Sequence, residues 1–330
     1  MHQSMVKMNL RAHLSNSGIE EELRRIIAHI ADSAKYIATI MGEANRKMTG
    51  TQNGYGETQM ELDVLADDIL KRRLEYETSF GISEFASEEQ DEIKLLSKNG
   101  ARYSVTVDPL DGSSLIDVNL AVGTIVGIHE GKILSGTGRD TLAAAMYIVY
   151  GPLTTLVYSA KNGTHEFVLD PTGNFVQSKE NLRLKEKGSL YSPGGLRSEW
   201  TANHAAFIDD LEKQGYKLRY SGGMVPDVNQ IISKGGGLFT YPALKDAAHG
   251  KLRLLFEEQP LALIIEQAGG LATNGFEDIL DIVPQALEQR APFYIGSRKE
   301  VLLAKEWLSR VDVPTWPHSV GIGSGVALHA

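Results

Sequence analysis

The stretch SVTVDPLDGSSLIDVNLAVG, residues 104–123, joins an alternating apolar segment to a turn that contains two aspartates. The segment SVTV predicts a strand with Asp108 at its end. Pro109 has a fixed φ and favours an extended Asp108. Asp111 and Gly112 then turn the chain, which frees the backbone N–H groups of residues 112–114 to form an anion site. Carboxylates at a strand end suit Mg²⁺, but an Asp-capped turn with serine hydrogen bonds fits this stretch equally well.

The composition excludes several classes of protein. The chain has 330 residues, 42% hydrophobic and 23% charged, which is ordinary for a globular protein of one domain or two. A net charge of −9 argues against a nucleic-acid surface, because such surfaces need clustered Lys and Arg. The lack of cysteine excludes disulfides, thiolate catalysis and Cys-ligated metals. No apolar run approaches the ~20 residues of a membrane span and no secretory signal is visible, so we expect a cytoplasmic protein without membrane partners.

Periodicity and turn signals divide the chain into two halves. Amphipathic helices are predicted over residues 19–42 and 60–77, with Asp63 beside the apolar stripe of the second helix. A β-rich region follows, and the alanine-rich segment TLAAAMYIVYG, residues 141–151, predicts a helix within it. From about residue 188 helices and strands alternate, which predicts an α/β half with a mostly parallel sheet.

These patterns predict a domain boundary and one helix cap. We expect an N-terminal α+β domain over residues 1–188 that contains the metal loop, and a C-terminal α/β domain over residues 189–330. Ser297 with Glu300 predicts a capping box for the last helix.

Other acidic residues stand near apolar segments. FASEEQ places Glu88 and Glu89 after a short apolar run, and LRLLFEEQP places Glu257 and Glu258 before a proline. Acidic pairs are usually solvated. An acidic side chain among apolar ones needs a compensating cation more often, so we expect at least one of Glu257 and Glu258 to be partly buried.

Several motifs occur in the order seen in class I fructose-1,6-bisphosphatases. They are SEE (87–89), DPLDGSS (108–114) with VGTI (122–125), and GKLRLLFE (250–257) with AGG (268–270). YSPGGLR (191–197) and GGMVPDVNQI (222–231) are more similar to sedoheptulose-1,7-bisphosphatase. The chain resembles this lithium-sensitive, Mg²⁺-dependent sugar phosphatase family over nearly its whole length. The resemblance implies an α/β (α+β) fold layered α-β-α-β-α, with two sheets between helices, and a hydrolase of sugar bisphosphates.

The resemblance also implies roles for individual residues. Two or three Mg²⁺ ions, or Mn²⁺, would be held by the carboxylates of Glu88, Asp108, Asp111 and Glu257 and by the carbonyl of Leu110. Glu89 and Asp63 match residues that help to activate the attacking water, and Glu57 lies on the counterpart of a mobile loop. The departing phosphate would be bound by Asp111, Gly112, Ser113 and Ser114.

The second phosphate and the sugar would be bound elsewhere. The resemblance assigns them to a cationic and aromatic set, formed by Arg219, Tyr220, Tyr241, Lys251 and Arg253. Arg219 would reach a neighbouring subunit's site, which implies a homo-oligomer, either a dimer or a tetramer. PGGLR stands where fructose bisphosphatases have an Asn-Glu-Gly-Tyr run, so we expect Gly194 to open space and Arg197 to contact phosphate.

The substrate is predicted with an alternative. We expect hydrolysis of the 1-phosphate of fructose 1,6-bisphosphate, with sedoheptulose 1,7-bisphosphate as a close second or an additional substrate. Leu115 after DGSS replaces the Asn of fructose bisphosphatases and favours the sedoheptulose enzyme, whereas Tyr241 favours the fructose enzyme. Three other classes of protein are alternatives. An inositol monophosphatase would share the metal loop but would not need the cationic set. A catalytically dead subunit would lack some of the metal ligands, and the sequence has no phosphate-binding loop of the nucleotide-binding type.

Regulation is also expected to differ from that of the animal enzymes. Their AMP-binding Thr-Gly-Glu run is replaced by SNSGIEEEL, residues 15–23, although Arg102 and Tyr103 match the Lys-Tyr pair of that site. We therefore predict insensitivity to AMP.

Overall fold

The helices agree largely with the periodicity of the sequence. The computed structural model describes residues 8–43, 48–52, 58–76, 81–97 and 101–310. In these ranges the helices are α1 (Leu10–Asn16), α2 (Glu21–Glu43), α3 (Glu61–Tyr76), α4 (Gly138–Thr141), α5 (Ala202–Lys213), α6 (Met224–Lys234), α7 (Gln259–Gln267) and α8 (Arg298–Leu308). The predicted stripe of α2 is confirmed, since Ile26, Ile30 and Ile37 have no exposed surface. Burying each such side chain contributes about 1.5–3 kcal/mol.

An eight-stranded sheet forms the first half of the described chain. From one edge to the other its strands are β10 (Phe175–Lys179), β9 (His165–Leu169), β8 (Thr154–Ser159), β7 (Leu142–Tyr150), β6 (Val122–Glu130), β5 (Tyr103–Asp111), β3 (Ile82–Ser87) and β4 (Lys94–Leu95). All neighbours are antiparallel except β3 and β5. Because β3 and β5 run in the same direction, their carboxyl ends meet at one edge of the sheet.

A five-stranded sheet and two short ribbons complete the β-structure of the described residues. The order in the sheet is β12 (Lys217–Leu218), β11 (Leu190–Pro193), β13 (Leu238–Tyr241), β17 (Phe293–Gly296) and β15 (Leu271–Thr273). The ribbons pair β1 (Met48–Gln52) with β2 (Thr58–Met60), and β14 (Leu252–Arg253) with β16 (Arg290–Ala291). The prediction of a mostly parallel sheet was wrong, because β17 pairs antiparallel with both β13 and β15. The division predicted near residue 188 falls between the last strand of one sheet and the first strand of the other.

Helices and sheets alternate in five layers. Helices α2 and α3 cover the outer face of the eight-stranded sheet, α6 and α7 lie between the two sheets, and α5 and α8 cover the outer face of the five-stranded sheet. Each sheet is therefore buried on both faces. The predicted α-β-α-β-α arrangement is confirmed.

The helix predicted over residues 141–151 was wrong, because this segment forms β7. Residues at alternate positions face opposite cores: Met146 and Ile148 pack with α2 and α3, whereas Tyr147 and Val149 pack with α6 and α7. A strand buried on both faces is a continuous apolar run, which periodicity cannot distinguish from a buried helix. Pairing with β6 and β8 decides the conformation against the helix propensity of its alanines.

The predicted capping box of α8 was also wrong. The Ser297 hydroxyl makes no cap hydrogen bond and instead accepts from the Gly237 N–H (3.3 Å). Glu300 is completely buried and accepts from the Gly188 N–H (2.9 Å) and from the Tyr216 hydroxyl. These side chains therefore join α8 to the five-stranded sheet. In the described ranges, every helix is too short or too polar to cross a lipid bilayer.

Candidate active site

Strand β5 ends in a kink that separates the two aspartates of the DPLD run. The pairing of β5 with β6 shifts register between Asp108 and Asp111. The Asp108 carboxylate accepts from the Leu110 N–H (3.0 Å), and the Thr124 hydroxyl donates to the Pro109 carbonyl (2.7 Å). These bonds fix the kink, so both carboxylates leave the strand at the sheet edge shared with β3.

Glu88 and Glu257 approach this edge from other parts of the chain. Glu88 follows β3, its N–H donates to the Val107 carbonyl (2.9 Å), and its carboxyl group is hydrogen-bonded to Asp108. Glu257 belongs to a π-helical turn, Leu254–Glu258, that leads into α7, and it accepts from the Arg253 N–H. Three separate segments thus deliver carboxylates to one place.

Arg253 contributes a positive charge to this cluster. Its side chain is completely buried. The guanidinium donates to the Glu88 carbonyl (2.8 Å) and lies 3.3 Å from the Glu88 carboxylate. Arg253 therefore lies among the acidic groups, apart from the exposed members of the set that the sequence grouped with it.

The acidic side chains form a compact donor set. One oxygen from each of Asp108, Asp111 and Glu257 lies within 4.8 Å of the others. Asp108 and Glu257 are almost fully buried, while Asp111 keeps some solvent contact at the rim. Burial, followed by repulsion from the neighbouring carboxylates, raises the pKa of Asp108 and of Glu257 well above its ordinary range.

These residues fit a hard divalent cation. Repulsion among Glu88, Asp108, Asp111 and Glu257 contributes to the raised pKa values, and Arg253 supplies only one positive charge. Carboxylate oxygens are the preferred ligands of Mg²⁺, and a dication among them would remove the repulsion. The chemistry of the donor set thus agrees with metal binding.

Asp111 also contacts the start of α6. The Val225 N–H donates to the Asp111 carboxylate (2.7 Å), and the Met224 N–H provides a second backbone hydrogen bond. A helix N-terminus stabilises a nearby negative charge. Burial nevertheless outweighs this effect and raises the pKa of Asp111 to about 7.

The turn after Asp111 has the conformation that an anion site needs. Gly112 has a φ of +77°, in the left-handed region, and a Cβ there would lie 3.3 Å from the Gly223 Cα. Ser113 begins a 3₁₀-helix, Ser113–Val118, and the first N–H groups of a helix have no partner within it. The donors of Ser113 and Ser114 therefore start immediately beside the carboxylate cluster.

The acids predicted to act on water lie on the turn after β3 and on α3. Glu89 follows Glu88 and is partly exposed, with its N–H 3.3 Å from the Ser87 hydroxyl. Asp63 is buried on α3, one turn before Asp67, and the Gln90 side chain donates to Asp67. The face of α3 that contains both aspartates is thus turned towards the end of β3. Glu57 lies outside the described residues.

Tyr220 and Tyr241 lie on the α6 side of Asp111. Burial raises the pKa of Tyr220 to about 12, and the nearby Tyr241 and Asp111 side chains act in the same direction. Tyr220 is 45% exposed, so part of the residue is accessible from solvent. The expectation that Gly194 opens space was wrong, because the Tyr241 ring fills it: a Cβ on Gly194 would lie 2.4 Å from Tyr241 Cδ2.

The remaining predicted cations are on the surface. Arg197 pairs with Asp209 on α5 (2.5 Å), and its guanidinium lies over the Trp200 ring. Arg219 and Lys251 are exposed, and the Arg219 guanidinium donates to the Leu218 carbonyl (2.8 Å). The structure does not bring these three side chains into contact with the carboxylate cluster.

Known proteins match the chain over most of its length. A family model described as the fructose-1-6-bisphosphatase N-terminal domain matches residues 4–180, and the C-terminal domain of the same family matches residues 184–309. A class 1 fructose-1,6-bisphosphatase from Pelobacter propionicus is 48% identical over 92% of this chain and 93% of its own length. One from Methanocorpusculum labreanum is 46% identical over 88% of each chain.

The chain belongs to the fructose-1,6-bisphosphatase family. Among solved structures, the fructose-1,6-bisphosphatase of Leishmania major in holo form has a TM-score of 0.86 at 30% identity, over 92% of this chain and 99% of that one. A Toxoplasma gondii protein named as a candidate sedoheptulose-1,7 bisphosphatase has a TM-score of 0.84 at 30% identity, over 92% and 98%. The predicted family and the predicted class of phosphoric monoester hydrolase are confirmed.

Three buried acids of this fructose-1,6-bisphosphatase family member received no predicted role. Both carboxylate oxygens of Asp227 on α6 lie 3.0 Å from the Ser221 backbone nitrogen and share its N–H. Burial raises the pKa of Asp227 to about 6. Burial also raises the pKa of Asp67 and of Glu258. Asp227 stands in the GGMVPDVNQI motif and Asp67 is four residues after Asp63, so both signals were visible in the sequence.

Arg102 and Tyr103, which the resemblance predicts to match part of an AMP site, belong to a surface network of charged groups. The Arg102 guanidinium pairs with Glu20 and with Glu130 (3.0 Å), and the Tyr103 hydroxyl donates to Glu20 (3.0 Å). Burial and this hydrogen bond raise the pKa of Tyr103 to about 12. Glu20 thus already engages both residues that match that site.

Proposed function

We propose that this chain hydrolyses the 1-phosphate of fructose 1,6-bisphosphate, giving fructose 6-phosphate and phosphate. The observation that carries the proposal is the convergence of Glu88, Asp108, Asp111 and Glu257 beside the turn at residues 112–114. Such a site places an anion binder next to a cluster that needs divalent cations. The relatives with the name fructose-1,6-bisphosphatase support the same activity.

We propose the following ligands for two or three Mg²⁺ ions, with Mn²⁺ as a substitute: the carboxylates of Glu88, Asp108, Asp111 and Glu257 and the carbonyl of Leu110. When bound, such ions neutralise phosphoryl oxygens and make water more acidic. Arg253 keeps Glu88 in place through both its backbone and its side chain. The N-terminus of α6 keeps Asp111 in place.

The remaining groups position substrate and move protons. Gly112, Ser113 and Ser114 would donate to the phosphate that is removed, since phosphoryl transfer depends on positioning and charge stabilisation. Glu89 and Asp63 would accept the proton of the attacking water. The Tyr220 phenol is neutral at neutral pH and would act as a donor to the sugar or its second phosphate.

Arg219, Tyr241, Lys251 and Arg197 would complete the binding of the distal phosphate. For Arg197 this requires release from Asp209, because the two are paired in this structure. Arg219 is exposed, which is compatible with its predicted reach into a neighbouring subunit of a dimer or tetramer. We further propose a cytoplasmic location and a role in gluconeogenesis or the Calvin cycle.

Sedoheptulose 1,7-bisphosphate remains the second candidate substrate. Leu115 packs against Gly222 and Gly223, where an added Cβ would meet it at 3.0–3.2 Å. The apolar residue that distinguishes this chain from fructose bisphosphatases is therefore close to the start of α6. The similarity to the Toxoplasma gondii protein adds weight to this alternative.

The test compares Asp111→Asn with Asp117→Asn, an exposed aspartate of the following 3₁₀-helix. Mg²⁺-dependent phosphate release should fall more than about 100-fold in the first variant, because metal ions contribute several kcal/mol to such reactions. Asp117→Asn should be unaffected. Residual activity of Asp111→Asn within about tenfold of the wild type would contradict the role of Asp111.

Parallel values of kcat/KM would then identify the substrate. Fructose 1,6-bisphosphate, sedoheptulose 1,7-bisphosphate and an inositol monophosphate should be compared at the same Mg²⁺ concentration. We expect the first to be hydrolysed best and the monophosphate worst. Preference for the monophosphate would reject the sugar bisphosphatase assignment.

A further inference from the structure

A second cluster of metal-binding side chains lies away from the candidate active site. It contains His13 of α1, His165 at the start of β9, and Glu180 just after β10. One ligand atom from each of the three lies within 4.8 Å of the others. The donors of a tetrahedral zinc site lie about 3.4 Å apart, since metal–ligand distances are about 2.0–2.1 Å. A small contraction would bring this set into that geometry.

The two imidazoles are buried together. His13 and His165 are 5% and 4% exposed, and their ring centroids are 4.6 Å apart. The His13 Nε2 atom is buried and has no hydrogen-bond partner among the described residues. A buried polar atom without a partner is unfavourable, and native proteins usually supply one. This nitrogen therefore points to a missing ligand.

Each ring is also held by its other contacts. The His13 Nδ1 atom lies 3.4 Å from the Gln177 side-chain amide, and the His165 Nε2 atom lies 3.3 Å from the Asn162 carbonyl. Metal-binding histidines typically donate their second ring nitrogen to a carbonyl or carboxylate, which fixes the tautomer. In the structure the Gln177 Nε2 atom faces His13, so a flip of this amide would give both rings that arrangement. The weak contact from the Asn181 N–H to His165 Nδ1 (3.3 Å) would be replaced.

The charge state of the cluster suits a cation. Both imidazoles are buried, which favours their neutral form, and neutral imidazole is the form that binds metals. Glu180 is exposed at the mouth of the cluster and adds one negative charge. Imidazole ligands favour Zn²⁺, Ni²⁺ or Cu²⁺, whereas the all-oxygen cluster at Asp111 favours Mg²⁺.

We propose that His13, His165 and Glu180 bind one zinc-class transition-metal ion that fastens α1 to the edge of the eight-stranded sheet. Three protein ligands leave a fourth position for water. The bound ion would join the first described helix to β9 and to the segment that follows β10. Its role would be structural, and it is independent of the proposed phosphatase reaction.

The probe is Zn²⁺ itself, titrated calorimetrically into the protein. The protein is first treated with a chelator and then saturated with Mg²⁺, which is meant to occupy the all-oxygen cluster at Asp111. Three variants remove ligands with little change in size, namely His13→Gln, His165→Gln and Glu180→Gln. His249→Gln is the matched control, because His249 is exposed and lies outside the cluster. Glu180→Gln alters only an exposed side chain, so it should fold even if a buried histidine variant does not.

We expect one Zn²⁺ per chain in the wild type and in His249→Gln. Each of the three ligand variants should bind it at least about tenfold more weakly. Hydrogen exchange of residues 10–16 should slow on addition of Zn²⁺ in the wild type and not in Glu180→Gln. Equal Zn²⁺ affinity in the wild type and Glu180→Gln, or no binding in the wild type, would overturn the proposal.

Discussion

Replacing Asp111 by Asn should stabilise the metal-free protein while it abolishes the reaction. Burial raises the pKa of Asp111 from 3.8 to about 7, so the folded protein holds this proton more tightly than the unfolded chain. The stabilising contribution of this group is complete below about pH 4 and is lost as the pH rises through about 7. A shift of about three units corresponds to about 4 kcal/mol. Because Asp111 keeps some solvent contact, we expect a net gain of ~2–4 kcal/mol for Asn at pH 8.

The assay is urea unfolding followed by circular dichroism in the presence of a chelator. The stability difference between Asp111→Asn and the wild type should shrink by about 2–3 kcal/mol between pH 8 and pH 5, because Asp111 regains its proton in the folded wild type. Mg²⁺ should stabilise the wild type more than the variant. The exposed Asp117→Asn serves as the control and should follow the wild type.

Three results would refute this reasoning. The first is that Asp111→Asn is no more stable than the wild type at pH 8 without metal. The second is that the difference in stability between the two proteins does not depend on pH. The third is that Mg²⁺ stabilises both proteins equally. Any of these would mean that the Asp111 carboxylate does not carry an unfavourable charge in the metal-free protein.

Three further predictions concern neighbouring features. Arg253→Met should lower the free energy of unfolding by about 3–5 kcal/mol, because it leaves Glu88 without its buried partner. Urea unfolding measures this loss, and a loss below about 1 kcal/mol would contradict the importance of this pair. Gly194→Ala should raise the KM for the bisphosphate, because the added Cβ would displace the Tyr241 ring. The circular dichroism spectrum should not change. An unaltered KM would show that the ring has no role in binding. AMP should not inhibit the wild type, because Glu20 already engages the matching arginine and tyrosine. Micromolar inhibition of the wild type by AMP would contradict this.

Two of the four carboxylates of the candidate site could be predicted from a short local motif. DPLDGSS places Asp108 and Asp111 at a strand end, and the alternation of SVTV is a local signal. The convergence of Glu88 and Glu257 on them followed only from the family resemblance, since no local pattern predicts contacts between segments far apart in the chain. The layered fold was predicted in the same way.

The features that were missed depend on tertiary contacts. β7 has the composition of a buried helix, and only its position between β6 and β8 makes it a strand. The sequence shows that Gly194 is small but not that the Tyr241 ring fills its space. Glu300 follows Ser297 at the spacing of a capping box, but buried donors from other segments compete for its carboxylate.

The hydrogen bond from Val225 to Asp111 has a practical consequence for protein engineering. It crosses from the five-stranded half of the molecule to the eight-stranded half, and Glu257 also lies on the far side of the connection between β10 and β11. A chain cut in this connection would give two fragments, each with an incomplete set of acidic ligands. Recovery of phosphate release on mixing such fragments would report their reassociation, so this protein offers a split-enzyme sensor of proximity.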